Sequence, residues 1–339
     1  MAWKTTQRAY MAVMLGFAGC DEPPEPPGPP GPPAPTDAPA DVEGDAGVLP
    51  DMQENGVLLN SFRLNSFRLN SFRLNSFRLN GDAGTGDFIQ IVDVDLPGGH
   101  QAEHAWLAGS TLYVETTKHK VLGGKHLKHL EVTFVVSEGG EEVVRVVKVA
   151  GVKPLHKGSD VMLYDLEIRE GEDGDWEPLC VDPQGEAVDA VLLADVWDPE
   201  TGVKITPRPT DAVTIACVDA ALGKCAVWGY RPWASEGGEP LADYHQACTR
   251  MVRADYCGDG VSHTKDGTPI HVLDELGIEA LDELVQFVIE AEWAPDGAVC
   301  LNPANTRLPG QKIDCALPGC GAPFDSGGLI QSGKVTGAL

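Results

Sequence analysis

Residues 131–149 read EVTFVVSEGGEEVVRVVKV. Two runs rich in valine flank Ser137-Glu138-Gly139-Gly140. Two heavy atoms on Cβ restrict a valine side chain in a helix and suit it to a pleated surface. The paired glycines supply the positive φ values that a tight hairpin turn needs. The stretch therefore predicts strands over 131–136 and 143–149, joined as an antiparallel hairpin.

Working outward, short β-branched or apolar runs predict strands over 112–115, 161–168, 190–194, 213–218 and 225–230. One segment has another period. Leu241, Tyr244, Cys248, Met251 and Val252 recur at three- and four-residue spacing, which predicts a helix over 241–254. A last hairpin is predicted from 287–292 and 298–301, turned by Pro295-Asp296-Gly297. The fold class is mainly β with one or two helices (α+β), over residues 88–339.

The N-terminal part has a different character. Lys4 and Arg8 precede an apolar run over 10–17 that is too short to span a bilayer. Phe17-Ala18-Gly19-Cys20 resembles a lipobox, so 1–19 reads as a lipoprotein signal peptide and Cys20 as the lipid attachment site. The rival reading is an ordinary secretory signal with an incidental cysteine. Residues 20–56 form a Pro-rich acidic linker, expected to extend as polyproline II at about 3 Å per residue. Residues 57–80 carry SFRLN four times in succession. A five-residue period scatters equivalent side chains around a helix and alternates them across a strand. That tract is expected to be disordered or adhesive, or to pack on the following domain, and slippage without function is the alternative. The whole reads as a disulfide-stapled domain after a disordered, lipid-anchored stalk, with the membrane reached through the N-terminal lipid. The expected location is the bacterial cell envelope, outside the cytoplasm, facing the periplasm or the cell surface.

Charge excludes some partners. Fifty-one acidic against 25 basic residues give a formal net charge of -26. Such a field repels nucleic acid, so none is expected as a partner.

Nine cysteines are present, and setting Cys20 aside leaves eight: Cys180, Cys217, Cys225, Cys248, Cys257, Cys300, Cys315 and Cys320. An even number in an exported chain predicts disulfides. Zinc is disfavoured because no Cys-x-x-Cys pair exists. No metal and no cofactor is expected. A helix running through Cys248 and Cys257 would hold them about 13 Å apart. A disulfide requires Cα atoms within about 7 Å, so these two are not expected to pair. The segment between Cys217 and Cys225 is short enough to close locally, which singles out that pair. Gly258 after Cys257 reads as a helix C-cap.

Several motifs keep a specific order and spacing. They include Trp176-Glu177-Pro178-Leu179-Cys180, Thr214-Ile215-Ala216-Cys217, the run from Lys224 to Trp233, and His245-Gln246-Ala247-Cys248-Thr249-Arg250. Ala254-Asp255-Tyr256-Cys257-Gly258-Asp259-Gly260, Ser262-His263-Thr264, Asp266-Gly267-Thr268 and Trp293-Ala294-Pro295-Asp296-Gly297-Ala298-Val299-Cys300 complete them. Together they resemble the ADYC domain family of bacterial, commonly lipoprotein-like proteins, concentrated in 176–320. The resemblance implies no assigned activity.

Three classes of function stay open. The favoured one is a surface or envelope interaction module with a protein or glycan partner, and not an enzyme. A hydrolase would use His263 with Asp255 or Asp259, although the polar loop around them also reads as a hydrogen-bonded turn network. A carbohydrate or small-ligand binder would use Trp228, Tyr230, Arg231 and Trp233, although such clusters also fill cores beside disulfides. Asp325-Ser326-Gly327-Gly328 resembles a trypsin-like nucleophile segment, but Phe324 stands where that motif has glycine. The basic, His-rich stretch over 118–129 reads as internal counter-charge in an acidic protein.

Overall fold

The computed structural model describes residues 57–59, 72–73, 89–138, 141–171, 173–198, 201–206, 212–280 and 286–336. The residues expected to form a signal and a linker, and most of the SFRLN tract, lie outside them.

The 131–149 hairpin sits in an eight-stranded antiparallel sheet. Its order is Phe72–Arg73, Ala212–Cys217, Ala190–Leu193, Met162–Glu170, Glu141–Pro154, Glu131–Glu138 and Ile89–Asp95, with Glu177–Pro178 paired beside Met162–Glu170. Val132 stands opposite Val147 and Phe134 opposite Arg145. One face of this sheet packs against a three-stranded sheet, Ala102–Ala108, Thr111–Thr116 and Val121–Gly123. Between them lie Ala105, Leu112, Val114 and Leu122 from the small sheet and Val132, Phe134, Val147 and Leu166 from the large one. A second, five-stranded sheet has the order Val57–Leu59, Pro269–Asp274, Ile330–Thr336, Gln286–Ala294, Gly297–Leu301.

Two helices join these layers. α1 spans Ala221–Val227 and α2 spans Ala242–Arg253. Leu222 and Ala226 of α1 pack on the large sheet with Val191, Leu193 and Ala216. Ala221 and Cys225, on its other side, pack with α2 and the five-stranded sheet. Every residue of Ala190–Leu193 is buried, because that strand is covered on both faces.

The expected strand over 225–230 is corrected by α1. A helix buried on two sides shows apolar residues at 221 and 225 and again at 222 and 226. Read in sequence, that looks like one continuous apolar run, which periodicity alone does not separate from a strand. Only Val227 in α1 is β-branched, and alanine and leucine favour helix. Gly223 fixes the close approach: a Cβ there would lie 2.2 Å from the Cys217 carbonyl oxygen.

The same helix overturns the expected Cys217–Cys225 bridge. The four disulfides are Cys180–Cys217, Cys225–Cys248, Cys257–Cys315 and Cys300–Cys320. Cys217 ends a strand and bonds within its own sheet layer, whereas Cys225 faces α2. Cys248 and Cys257 do not pair, but the premise differs from the expectation, since α2 ends before Cys257. Ala254 takes the left-handed conformation at φ 52° and caps the helix. Its N–H donates to the Met251 carbonyl (3.0 Å) and the Asp255 N–H donates to the Arg250 carbonyl (2.9 Å), a Schellman pattern with alanine in glycine's usual place.

Gly258 therefore has another role. A Cβ on it would lie 1.8 Å from the Asp296 carbonyl oxygen. Gly297, from the hairpin turn, would meet the Gly258 nitrogen at 2.8 Å. These two glycines let two turns touch backbone to backbone, and the Ala298 N–H donates to the Tyr256 carbonyl at 2.9 Å.

Non-reducing peptide mapping by mass spectrometry tests this arrangement. It is expected to recover Cys225 linked to Cys248 and Cys257 linked to Cys315. A Cys217–Cys225 peptide would contradict the placement of α1.

Candidate functional site

The helix α2 carries polar side chains that are buried almost all round. Gln246 accepts from the Trp197 indole N–H (2.6 Å) and donates to the Gly202 carbonyl (2.9 Å). Arg250 donates to the carbonyls of Thr201 (2.7 Å) and Pro295 (3.2 Å). Burial pushes His245 down to about 4, so it is neutral, and its Nε2 faces the Leu222 carbonyl at 3.0 Å. A buried donor without a partner costs about 1–3 kcal/mol, so these bonds bind the loops holding Trp197, Thr201, Gly202 and Pro295, and helix α1, to α2.

The chain leaving α2 makes the densest contacts. Arg250 Nη1 donates to Asp255 Oδ2 at 2.5 Å, and Arg253 Nη1 lies 3.7 Å from the same oxygen. Asp255 also accepts from the Gly260 N–H. The next residue, Tyr256, donates its hydroxyl to Glu290 Oε1 at 2.6 Å. Glu290 pairs with Arg307 (Nη2–Oε2 2.6 Å) and accepts from the Ser332 hydroxyl at 2.8 Å. Arg307 reaches back to the Met251 carbonyl at 2.8 Å, so the network closes on α2. Burial works to raise the Glu290 carboxyl, but the Arg307 charge and the hydrogen bonds from Arg307 and Tyr256 hold it below the usual range. Burial, the adjacent Glu290 charge and the bond to it push the Tyr256 phenol far up, so it remains a donor.

The residues singled out in the sequence are placed as follows. Asp255 lies in this ion network. His263 has Nδ1 3.1 Å from the Ala254 carbonyl and Nε2 3.2 Å from the Lys312 carbonyl, so both ring nitrogens face backbone. Asp259 accepts from the Val261 N–H in a local turn. Among the described residues no hydrogen bond joins His263 to either aspartate. Trp228 and Tyr230 are buried in the core with α2, and the Tyr230 hydroxyl donates to Asp274 at 2.9 Å. Arg231 and Trp233 both reach Asp160, at 2.6 and 2.9 Å. Burial works to raise the Asp160 carboxyl, and the bonds from Trp233 and Arg231 more than offset it, holding it low.

Asp160 sits at the edge of an open cleft of about 450 Å³. Leu155, His156, Ser159 and Asp160 form one wall, Val227, Gly229 and Arg231 a second, and Leu276, Gly277 and Ile278 a third. The alternation explains the split of the aromatic run: residues 227, 229 and 231 line the cleft while 228 and 230 point into the core. Among the described residues no cluster of His, Cys, Asp and Glu is arranged to hold a metal. Sequence reasoning missed Asp160, Glu290 and Arg307: Glu290 lies inside the strand expected over 287–292 but carries no motif, and Asp160 and Arg307 lie in loops.

The family model described as the ADYC domain matches residues 107–307. No curated protein and no solved structure matches the chain.

Glu279, beside the third wall, gives a pH test. Burial and the nearby Asp274 charge raise its carboxyl from 4.5 to about 7. The folded chain thus holds a proton that the unfolded chain releases near 4.5. That contribution is fully present below about pH 4.5 and is lost as pH rises through about 7. Glu279→Gln is expected to match wild type at pH 4.5 in urea unfolding and to exceed it at pH 8 by up to about 3 kcal/mol. An equal difference at both pH values would contradict the assignment.

Proposed function

The chain belongs to the ADYC domain family, and on that premise we propose that it is an exported, lipid-anchored interaction module of the bacterial envelope. The observation that carries this reading is the fate of the family's signature. Asp255, Tyr256 and Cys257 each bond inward to a different element. The signature thus serves a rigid platform, and recognition falls to surfaces away from it.

Four disulfides support an oxidising compartment outside the cytoplasm. Among the described residues no helix is long and apolar enough to cross a membrane. Attachment through lipid on Cys20 fits both facts. Two or three acyl chains at about 0.8 kcal/mol per buried methylene suffice for a lasting anchor. The Pro-rich linker over 20–56 lies outside the described residues, and its composition fits a spacer between anchor and domain.

A second reading, uptake of a small ligand in the cleft beside Asp160, is favoured by Arg231. It is the one residue of the four aromatic-strip candidates that lines that cleft.

Metabolic labelling with an alkyne-bearing fatty acid tests the anchor. Wild type is expected to carry the label and sediment with membranes, whereas Cys20→Ala is expected to lose both properties. Label retained by Cys20→Ala, or absent from wild type, would overturn the lipid-anchored reading.

A further inference from the structure

The three-stranded sheet has one face on the core and another turned away from it. Along Ala102–Ala108 and Thr111–Thr116 the second face carries His104, Trp106, Tyr113 and Glu115. Register places Trp106 opposite Tyr113, Tyr113 opposite Gly123, and His104 opposite Glu115. The Trp106 and Tyr113 rings lie 5.6 Å apart at 17°. The His104 and Trp106 rings lie 5.6 Å apart at 20°.

Gly123 accounts for the geometry. A Cβ at that position would fall 2.7 Å from the Tyr113 ring. The ring therefore lies across the Val121–Gly123 strand, in space that any other side chain would fill. The result is a strip of three near-parallel rings. Neither the Trp106 indole N–H nor the Tyr113 hydroxyl has a hydrogen-bond partner among the described residues. A polar rim adjoins the strip: His119 Nδ1 lies 3.2 Å from the Glu115 carboxylate, and their side chains are 79% and 32% exposed.

We propose that this strip is a binding site for a polysaccharide. A pyranose ring has C–H groups on its faces and hydroxyls at its edge. Aromatic rings meet the first, and the indole N–H, the phenol, Glu115 and His119 meet the second. His104 is exposed and Trp106 and Tyr113 are half-buried, so part of the strip is within reach of a ligand. A stable protein interface buries about 800 Å² per partner, more than three rings supply. The inference rests on the extracytoplasmic reading only for where polysaccharide is met, and binding by purified protein fails or succeeds independently of fatty-acid labelling.

The test uses the full mature chain carrying Cys20→Ala, sedimented with cellulose, chitin or purified peptidoglycan sacculi. Binding to at least one of the three solid polymers is expected, together with a change in tryptophan fluorescence. Trp106→Ala is expected to weaken it at least tenfold. Glu115→Gln, which leaves the packing intact, is expected to weaken it at least threefold while thermal unfolding stays unchanged. Failure to bind any of the three, or binding indifferent to both substitutions, would overturn the proposal.

Discussion

Asp255-Tyr256 stands between two buried guanidinium–carboxylate pairs, and the C-terminal half of the domain is arranged around that dipeptide. Asp255 is fully buried and meets Arg250, 2% exposed, at 2.5 Å. Tyr256 meets Glu290, which is locked to Arg307. Charges taken out of water are tolerated only with close geometry and further hydrogen bonds, and removing one partner leaves the other uncompensated. The geometry here is of that kind. Ala254 turns the chain, Asp255 ties it to α2, Tyr256 to the strand Gln286–Ala294, and Cys257 to the loop at Cys315. Four successive residues thus fix four directions.

The rest of the architecture relays that constraint. α2 is held to α1 by Cys225–Cys248, and α1 packs on the large sheet through Leu222 and Ala226. Arg231 and Trp233 bond Asp160 in the loop between two strands of that sheet. Trp233 also fits against Gly109, where a Cβ would come within 3.1 Å of its indole nitrogen. The turn that joins the first two strands of the aromatic sheet is therefore held from the C-terminal half. A platform fixed in this way suits an oxidising compartment outside the cytoplasm, where disulfides persist.

Much of the fold was legible because local pattern and burial agree there. The 131–149 hairpin, the helix near 241–254 and the hairpin turned at Pro295–Gly297 all follow from period and turn chemistry. Elsewhere pattern and burial part company. α1 is apolar on two sides and so lost its helical period. The α2 cap carries alanine at positive φ, which leaves no glycine to mark it. Ile330–Thr336 reads as polar because Gln331 and Ser332 are buried with partners on other strands. The candidate site fared less well. Asp255 and His263 stood out as chemistry-bearing residues, and only their partners place them within packing. Trp106 and Tyr113 come together through strand register and a glycine one strand away, which no run of sequence displays.

The central claim is that the family signature works as a buried lock. A double-mutant cycle of Arg250→Met and Asp255→Asn, read by urea unfolding, measures it most directly. The account predicts a coupling free energy of at least about 2 kcal/mol, with each single variant strongly destabilised. A coupling near zero, with both variants as stable as wild type, would contradict it.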